Sequence, residues 1–230
     1  DAGTQGVYLA LPLASGSHLE VRQPAQSEVL ARYLSCEVEV GDSNVGVDTR
    51  CRIHCARPDL RLVLGEQPGD QHFVKLKVAQ VLDASSEGGV SLDTAFIPTF
   101  IFVQEHGYVA SCLKEVIGLL ASRGDAIAAR IRGESTAAGT HIADFLMLQV
   151  INRSELELRH CLSQTRVRPE AVFRALVSLL GELSTFTTDS KRAQLDVHYQ
   201  HGDQGASFRA LMVQLRMVLS VVLEQQAIEL

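Results

Sequence analysis

The hydrophobic period of this chain changes once, near Pro98, and that change constrains the fold more than any other feature. Before it, apolar residues recur at every second position in short runs. After it, they recur at steps of three, four and seven. A period of two belongs to side chains alternating across a strand, and one of 3.6 to a single face of a helix. The chain therefore reads as α+β: an N-terminal antiparallel β-sandwich over residues 1–98, then a four-helix bundle over residues 99–230.

Within the first part, Val7 to Leu13 is an apolar run closed by Ala14-Ser15-Gly16-Ser17. Cys36-Glu37-Val38-Glu39-Val40 alternates strictly, apolar on one face and acidic on the other, until Gly41-Asp42-Ser43-Asn44 breaks it. Leu60 to Leu64 and Val74 to Val78 repeat the alternation, with Gly65, Pro68 and Gly69 between them. Several short strands at this spacing predict the sandwich. Ser27 to Leu34 reads instead as a single helical turn.

In the second part, Val109, Leu113, Val116, Leu120, Ile127 and Ile131 form the stripe of a first helix, and Gly133 to Gly139 is the turn after it. A second helix from about His141 to Leu162 carries Ile142, Phe145, Leu146, Gln149, Asn152 and Leu156 near one stripe, read as the inner one. Pro169 opens a third, where its missing N–H costs nothing, with Val172, Leu176, Leu179, Leu183 and Phe186 following. After a loop from Thr187 to Gly202, Phe208, Leu211, Leu215, Leu219 and Val222 mark the fourth.

Function classes narrow by composition. A net charge of -6 and the lack of a basic stripe argue against nucleic-acid binding. Lys75 and Lys77 merely alternate on a strand, and Lys191-Arg192 is an isolated pair. Five cysteines, odd in number and without paired spacing, predict a reducing compartment, most simply the cytoplasm. The most apolar stretch, Leu211 to Leu223, is interrupted by Gln214 and Arg216 and is too short to span a bilayer.

Two clusters invite chemistry. Cys51, His54 and Cys55 have the residue types of a zinc site, but a structural zinc takes four ligands and no second cluster exists. On a strand, Cys51 and Cys55 would point one way as core residues and His54 the other. His198, Tyr199, His201 and Asp203 form the sharper group, and a metal-dependent enzyme using His198, His201 and Asp203 is the enzymatic alternative. Gly202 breaks any helix there, so Asp203 is better placed as the N-cap of the final helix. Gln149, Asn152 and Arg153, on the stripe of the second helix, would either bond bundle carbonyls or face a neighbouring subunit. No nucleophile elbow, phosphate loop or dinucleotide turn is present. No catalytic residue, metal or cofactor is expected.

Asp144-Phe-Leu-Met-Leu-Gln149-Val-Ile-Asn152-Arg153, Arg168-Pro-Glu-Ala-Val-Phe, Gly181-Glu-Leu-Ser-Thr-Phe186, and Tyr199-Gln-His201-Gly-Asp203 with Phe208 occur in that order. Together they resemble the TssK family (ImpJ, VasE), trimeric baseplate adaptors of bacterial type VI secretion. Leu92-Asp93-Thr-Ala-Phe96-Ile97-Pro98 is similar to the family's junction, with Thr99 where a second proline is usual, and Val7 to Pro12 to a strand of its shell. The resemblance covers nearly the whole chain.

It implies a partial shell that grips the wedge proteins TssF and TssG, and a helical neck bearing a head that docks on TssL and TssM. It also implies a homotrimer, cytoplasmic at the inner-membrane face, without catalytic residues. Both ends of the chain read as cut, with earlier shell strands and the head missing. TssL and TssM are then not expected to bind this chain, and its β half is expected to self-associate through uncovered strands. The rival reading is a helical-bundle adaptor of an unrelated assembly.

Overall fold

A computed structural model describes residues 5–14, 19–41, 44, 50–65, 69–84, 89–133, 138–187, 189–194 and 198–224. The chain divides into two units, Asp1–Phe96 and Ile97–Leu230. The α+β class read from the sequence is the one found: two sheets and four long helices.

The first unit holds β1 (Gln5–Pro12), β2 (Val21–Arg22), β3 (Tyr33–Gly41), β4 (Arg50–Pro58), β5 (Arg61–Leu64), β6 (Phe73–Ala84) and β7 (Val90–Leu92). One sheet is antiparallel throughout, in the order β5-β1-β6-β7. The other is β2-β3-β4, where the two-residue β2 runs parallel to β3. A parallel pair so short leaves no sequence pattern, and in this sheet the alternation of Cys36 to Val40 pointed to β3 alone.

Register in the first sheet puts Val7, Leu9 and Leu11 of β1 beside Leu62 and Leu64 of β5 and Val74 and Leu76 of β6. Tyr8, Ala10 and Lys75 occupy the opposite face, where Ala10 is fully buried and the Lys75 ammonium lies 5.0 Å from the Tyr8 ring centroid. Two polar links join the sheets. Arg32 donates to the Pro12 carbonyl at 3.0 Å. Buried Asp59 accepts from Arg22 at 3.0 and 3.1 Å and from Arg61 at 2.9 Å. The Arg22 hydrogen bond, helped by Arg61, holds the Asp59 carboxyl below the usual range although burial opposes it.

Two expectations for this unit are corrected. Ser27 to Leu34 is not a helical turn: Gln26 and Val29 close successive turns onto Gln23 and Gln26, and Tyr33 and Leu34 already belong to β3. The Tyr33 N–H donates to Glu20 at 2.9 Å, so the sheet claims the backbone that a helix would need. Cys51 and Cys55 do share one face of β4, but they are not core: Cys51 is exposed and Cys55 half-buried. Val38 and Ile53 beside them are exposed too, because this face of the ribbon has no packed layer among the described residues.

The second unit consists of α1 (Gly107–Gly133), α2 (Ala138–Ser163), α3 (Pro169–Thr187) and α4 (Gln204–Glu224). Each helix packs on its sequence neighbours, and α1 also meets α4. Val109, Leu113, Val116, Leu120 and Ile127 are buried on α1, as are Val172, Leu176, Leu179 and Leu183 on α3 and Phe208, Leu211, Leu215 and Leu219 on α4. The Val222 side chain lies outside the described residues. At Gly124 an added Cβ would sit 3.3 Å from Ile151 Cγ2, so α1 and α2 approach closely there. Arg216 of α4 chelates Glu115 of α1 at 2.7 and 2.8 Å. That bond lowers the Glu115 pKa and raises that of Arg216.

The lead-in to α1 is also core. Ile97, Phe100 and Val103 are buried with the bundle. Gln204, fully buried at the start of α4, holds Phe100 by both backbone groups: its Nε2 donates to the carbonyl at 2.9 Å, and its Oε1 accepts the N–H at 3.2 Å. Next to it, a Cβ on Gly205 would lie 3.0 Å from Ile97 Cβ. Glycine is required there by that approach.

Candidate interaction surface

The stripe read from the sequence as the inner face of α2 is its outer face. Ile142 is 62% exposed, Phe145 56%, Leu146 49% and Leu156 68%, and Gln149, Asn152 and Arg153 are exposed among them. The side turned to the bundle is instead Asp144, Ile151, Ser154 and Leu158, with Met147, Leu148 and Cys161 partly buried. Apolar residues lie on both sides of this helix, so its period gives the helical geometry but not the direction of the core. The true inner side also carries a charge, which a sequence reading assigns to solvent. Arg130 neutralises that charge, donating to Asp144 through Nε at 2.9 Å and through a second nitrogen. The pair is the signal missed: an Asp and an Arg, each near its helix end, on the two helices that flank one turn.

Beside this stripe runs an open groove of about 330 Å³ between α2 and α3, lined by Leu146, Gln149, Val150, Arg153, Glu182 and Phe186. Arg153 is ion-paired with Glu182 across it, and that bond raises the Arg153 pKa. Gln149, Asn152 and Arg153 therefore do not bond the bundle's interior; they are the polar part of an apolar outer surface. Phe186 is half-buried at the groove's edge.

The other singled-out residues form a separate cluster at the start of α4. Pro169 is buried at the first position of α3. Phe208 packs edge-on to Phe173, with ring centroids 5.7 Å apart, and Tyr199 lies 5.4 Å from the same ring. Burial pushes the Tyr199 hydroxyl up. That hydroxyl lies 3.0 Å from His201 Nδ1, which Gln204 Nε2 also approaches at 3.2 Å. Asp203 accepts the Ala206 N–H at 3.0 Å, an N-cap bond, and Ser207 ties the His198 carbonyl to the helix at 3.3 Å. The Asp203 cap, the Ser207 bond and the Tyr199–His201–Gln204 contacts anchor the loop to α4. Gln204 and Ser207 do as much of that work as the residues read from sequence. His54 lies on the opposite face of β4 from Cys51 and Cys55, and its Nε2 is 3.7 Å from Glu37. Among the described residues, no three His, Cys, Asp or Glu side chains are grouped to hold a metal ion.

Comparison with known proteins agrees with the sequence resemblance. A sequence profile of the family described as bacterial type VI secretion, with EvfL, ImpJ and VasE, matches residues 1–230. The chain is 34% identical over 222 residues to the type VI secretion system baseplate component TssK1 of Pseudomonas aeruginosa, across 96% of this chain and 50% of that protein. It thus spans about half the length of the curated relative it matches. A crystal structure of TssK superposes with a TM-score of 0.83 at 28% identity, over 95% of this chain and 51% of the other. A chain in a cryo-electron microscopy structure of the type VI secretion system TssK-TssF-TssG baseplate subcomplex shares the fold, with a TM-score of 0.77 at 22% identity, over 96% of this chain and 69% of that one. On the profile match and the curated relative together, the chain belongs to the bacterial type VI secretion family of EvfL, ImpJ and VasE, the TssK family.

Proposed function

We propose that this chain is the shell-and-neck part of a type VI secretion baseplate adaptor, working by binding and not by catalysis. Residues 1–98 are the partial shell that contacts the wedge proteins TssF and TssG. Residues 99–230 are the neck, through which copies of the chain associate into a trimer. The observation that carries the reading is the outward stripe of α2. Four large apolar side chains at helical spacing stand half to two-thirds exposed on a helix whose other face is already packed. Covering each would contribute about 1–2 kcal/mol, since full burial of such a side chain is worth about 1.5–3 kcal/mol. Among the described residues no helix is long and apolar enough to cross a membrane, which fits a protein working at the cytoplasmic side of the inner membrane.

The test is co-purification of the complete protein with TssF and TssG, followed by mass measurement in solution. Three copies bound to both wedge proteins is the expected result. A complete protein that binds neither would favour an adaptor of some unrelated assembly, and a monomer would remove the role given to α2.

A further inference from the structure

We propose that Cys36 and Cys55 are a thiol pair that closes reversibly into a cross-strand disulfide by exchange with a small-molecule disulfide. The proposal is independent of the adaptor reading. The two residues are register partners across the antiparallel β3–β4 ribbon, so their side chains project side by side on one face. The phase of the ladder is set by Asp59, whose N–H donates to the Arg32 carbonyl at 2.9 Å one step beyond the Tyr33–Pro58 pair. Alternation from there makes Cys36 and Cys55 a hydrogen-bonded pair, for which the Cα separation is about 5.5 Å. That separation lies within the range for a disulfide, roughly 4.4–6.8 Å.

Both thiols are half-buried and free, so a reagent reaches them while the ribbon holds them together. Their exposed neighbours Val38 and Ile53 leave the face open. Cys51 cannot substitute for either partner. It opposes Val40, four residues along the strand from Cys55, which is about 13 Å at 3.3 Å per residue. Of the other two cysteines, Cys112 is buried and Cys161 sits on α2 of the helical unit.

The chemistry balances as two exchanges. One protein thiolate attacks a sulfur of the small disulfide, breaking its S–S bond, releasing one small thiol and leaving a mixed disulfide on the protein. The second protein thiolate then attacks the protein-side sulfur and releases the second small thiol. Two cysteine thiols lose two protons and two electrons in all, and the small disulfide gains them. Directly opposed Cβ atoms lie about 4.5–5.5 Å apart, against about 3.5–4.5 Å in a disulfide. The bond therefore closes with a local shift of the strands and reopens easily, as regulatory disulfides do.

The experiment exposes the full chain and its C51S variant to oxidised glutathione, then blocks remaining thiols and measures intact mass and linked peptides. The expected result is loss of two of the four thiols of the C51S variant without retained glutathione, a Cys36–Cys55 linked peptide in both proteins, and full recovery on reduction. C36S and C55S should instead each retain one glutathione on the partner cysteine. Separate glutathiones on Cys36 and Cys55 of the unsubstituted chain, or both thiols staying free, would overturn the proposal.

Discussion

The two units solve the problem of burying apolar surface to different degrees. In the helical unit, leucines, isoleucines and valines from all four helices meet in one core, many of them fully buried. In the β unit, the described residues that are buried are small or charged: Ala10, Pro12, Ala31 and Asp59. Its leucines stand outward on the face shared by β1, β5 and β6, with Leu62 72% exposed. A sheet with one apolar face is stable when a second layer covers that face. The helical unit thus carries its own second layer, whereas the described β residues supply only one layer for this face.

Replacing core leucines breaks the comparison most directly. Leu176→Ala or Leu215→Ala should cost about 2–5 kcal/mol, the range for an emptied leucine site in a packed core. Leu62→Ala should cost less than about 0.5 kcal/mol in the isolated chain, as expected of an exposed position. Denaturant titration followed by circular dichroism reads all three, and a Leu62 effect as large as that of Leu176 would mean the sheet face is covered.

A smaller effect is expected where the β unit relies on charge. Asp59→Asn removes the carboxylate shared by Arg22 and Arg61 and should cost about 2–3 kcal/mol, as loss of charged hydrogen bonds in a largely buried site. The folded pKa of Asp59 lies below its unfolded value, so its contribution is fully present above that unfolded value, about 3.9. It is lost as pH falls through the folded value. Stability of the unsubstituted chain and the variant should therefore converge in acid, and a gap that widens below pH 4 would contradict the assignment.

The smallest stability change and the clearest change in assembly are predicted together on α2. Phe145→Ser and Leu156→Ser should leave monomer stability within about 0.5 kcal/mol. Sedimentation over a concentration series should show weaker self-association for both. Unfolding of either variant at low denaturant would place those side chains inside the bundle after all.

How far the fold was legible follows the same division. Helices α1, α3 and α4 were readable in their stripes, because most of the apolar residues recurring at helical spacing there are the ones the bundle buries. α2 has apolar residues on both, and the choice between Ile151 and Phe145 as the inner side rests on where α1 and α3 stand. In the sheets, an apolar run identified β1 and alternation identified β3, β5 and β6, but neither says whether a layer covers the apolar side. That is why Cys51 and Cys55 were read as core. The cluster at Tyr199, His201 and Asp203 was visible as polar residues around a glycine, while its central member, Gln204, was not. A glutamine reveals itself as a clasp only when Phe100 is beside it, and 104 residues separate them.

That separation sets a schedule for the chain as it is made. At about 5–20 residues per second, Phe100 leaves the ribosome roughly 5–20 s before the glutamine that holds it. Through that interval the Phe100 N–H and C=O lack the clasp of Gln204, while further on the Val103 N–H can already reach the Val167 carbonyl just ahead of α3. α1, α2 and α3 emerge first and can begin to associate through the short turns between them. The bundle's own entrance closes last, when the start of its final helix arrives.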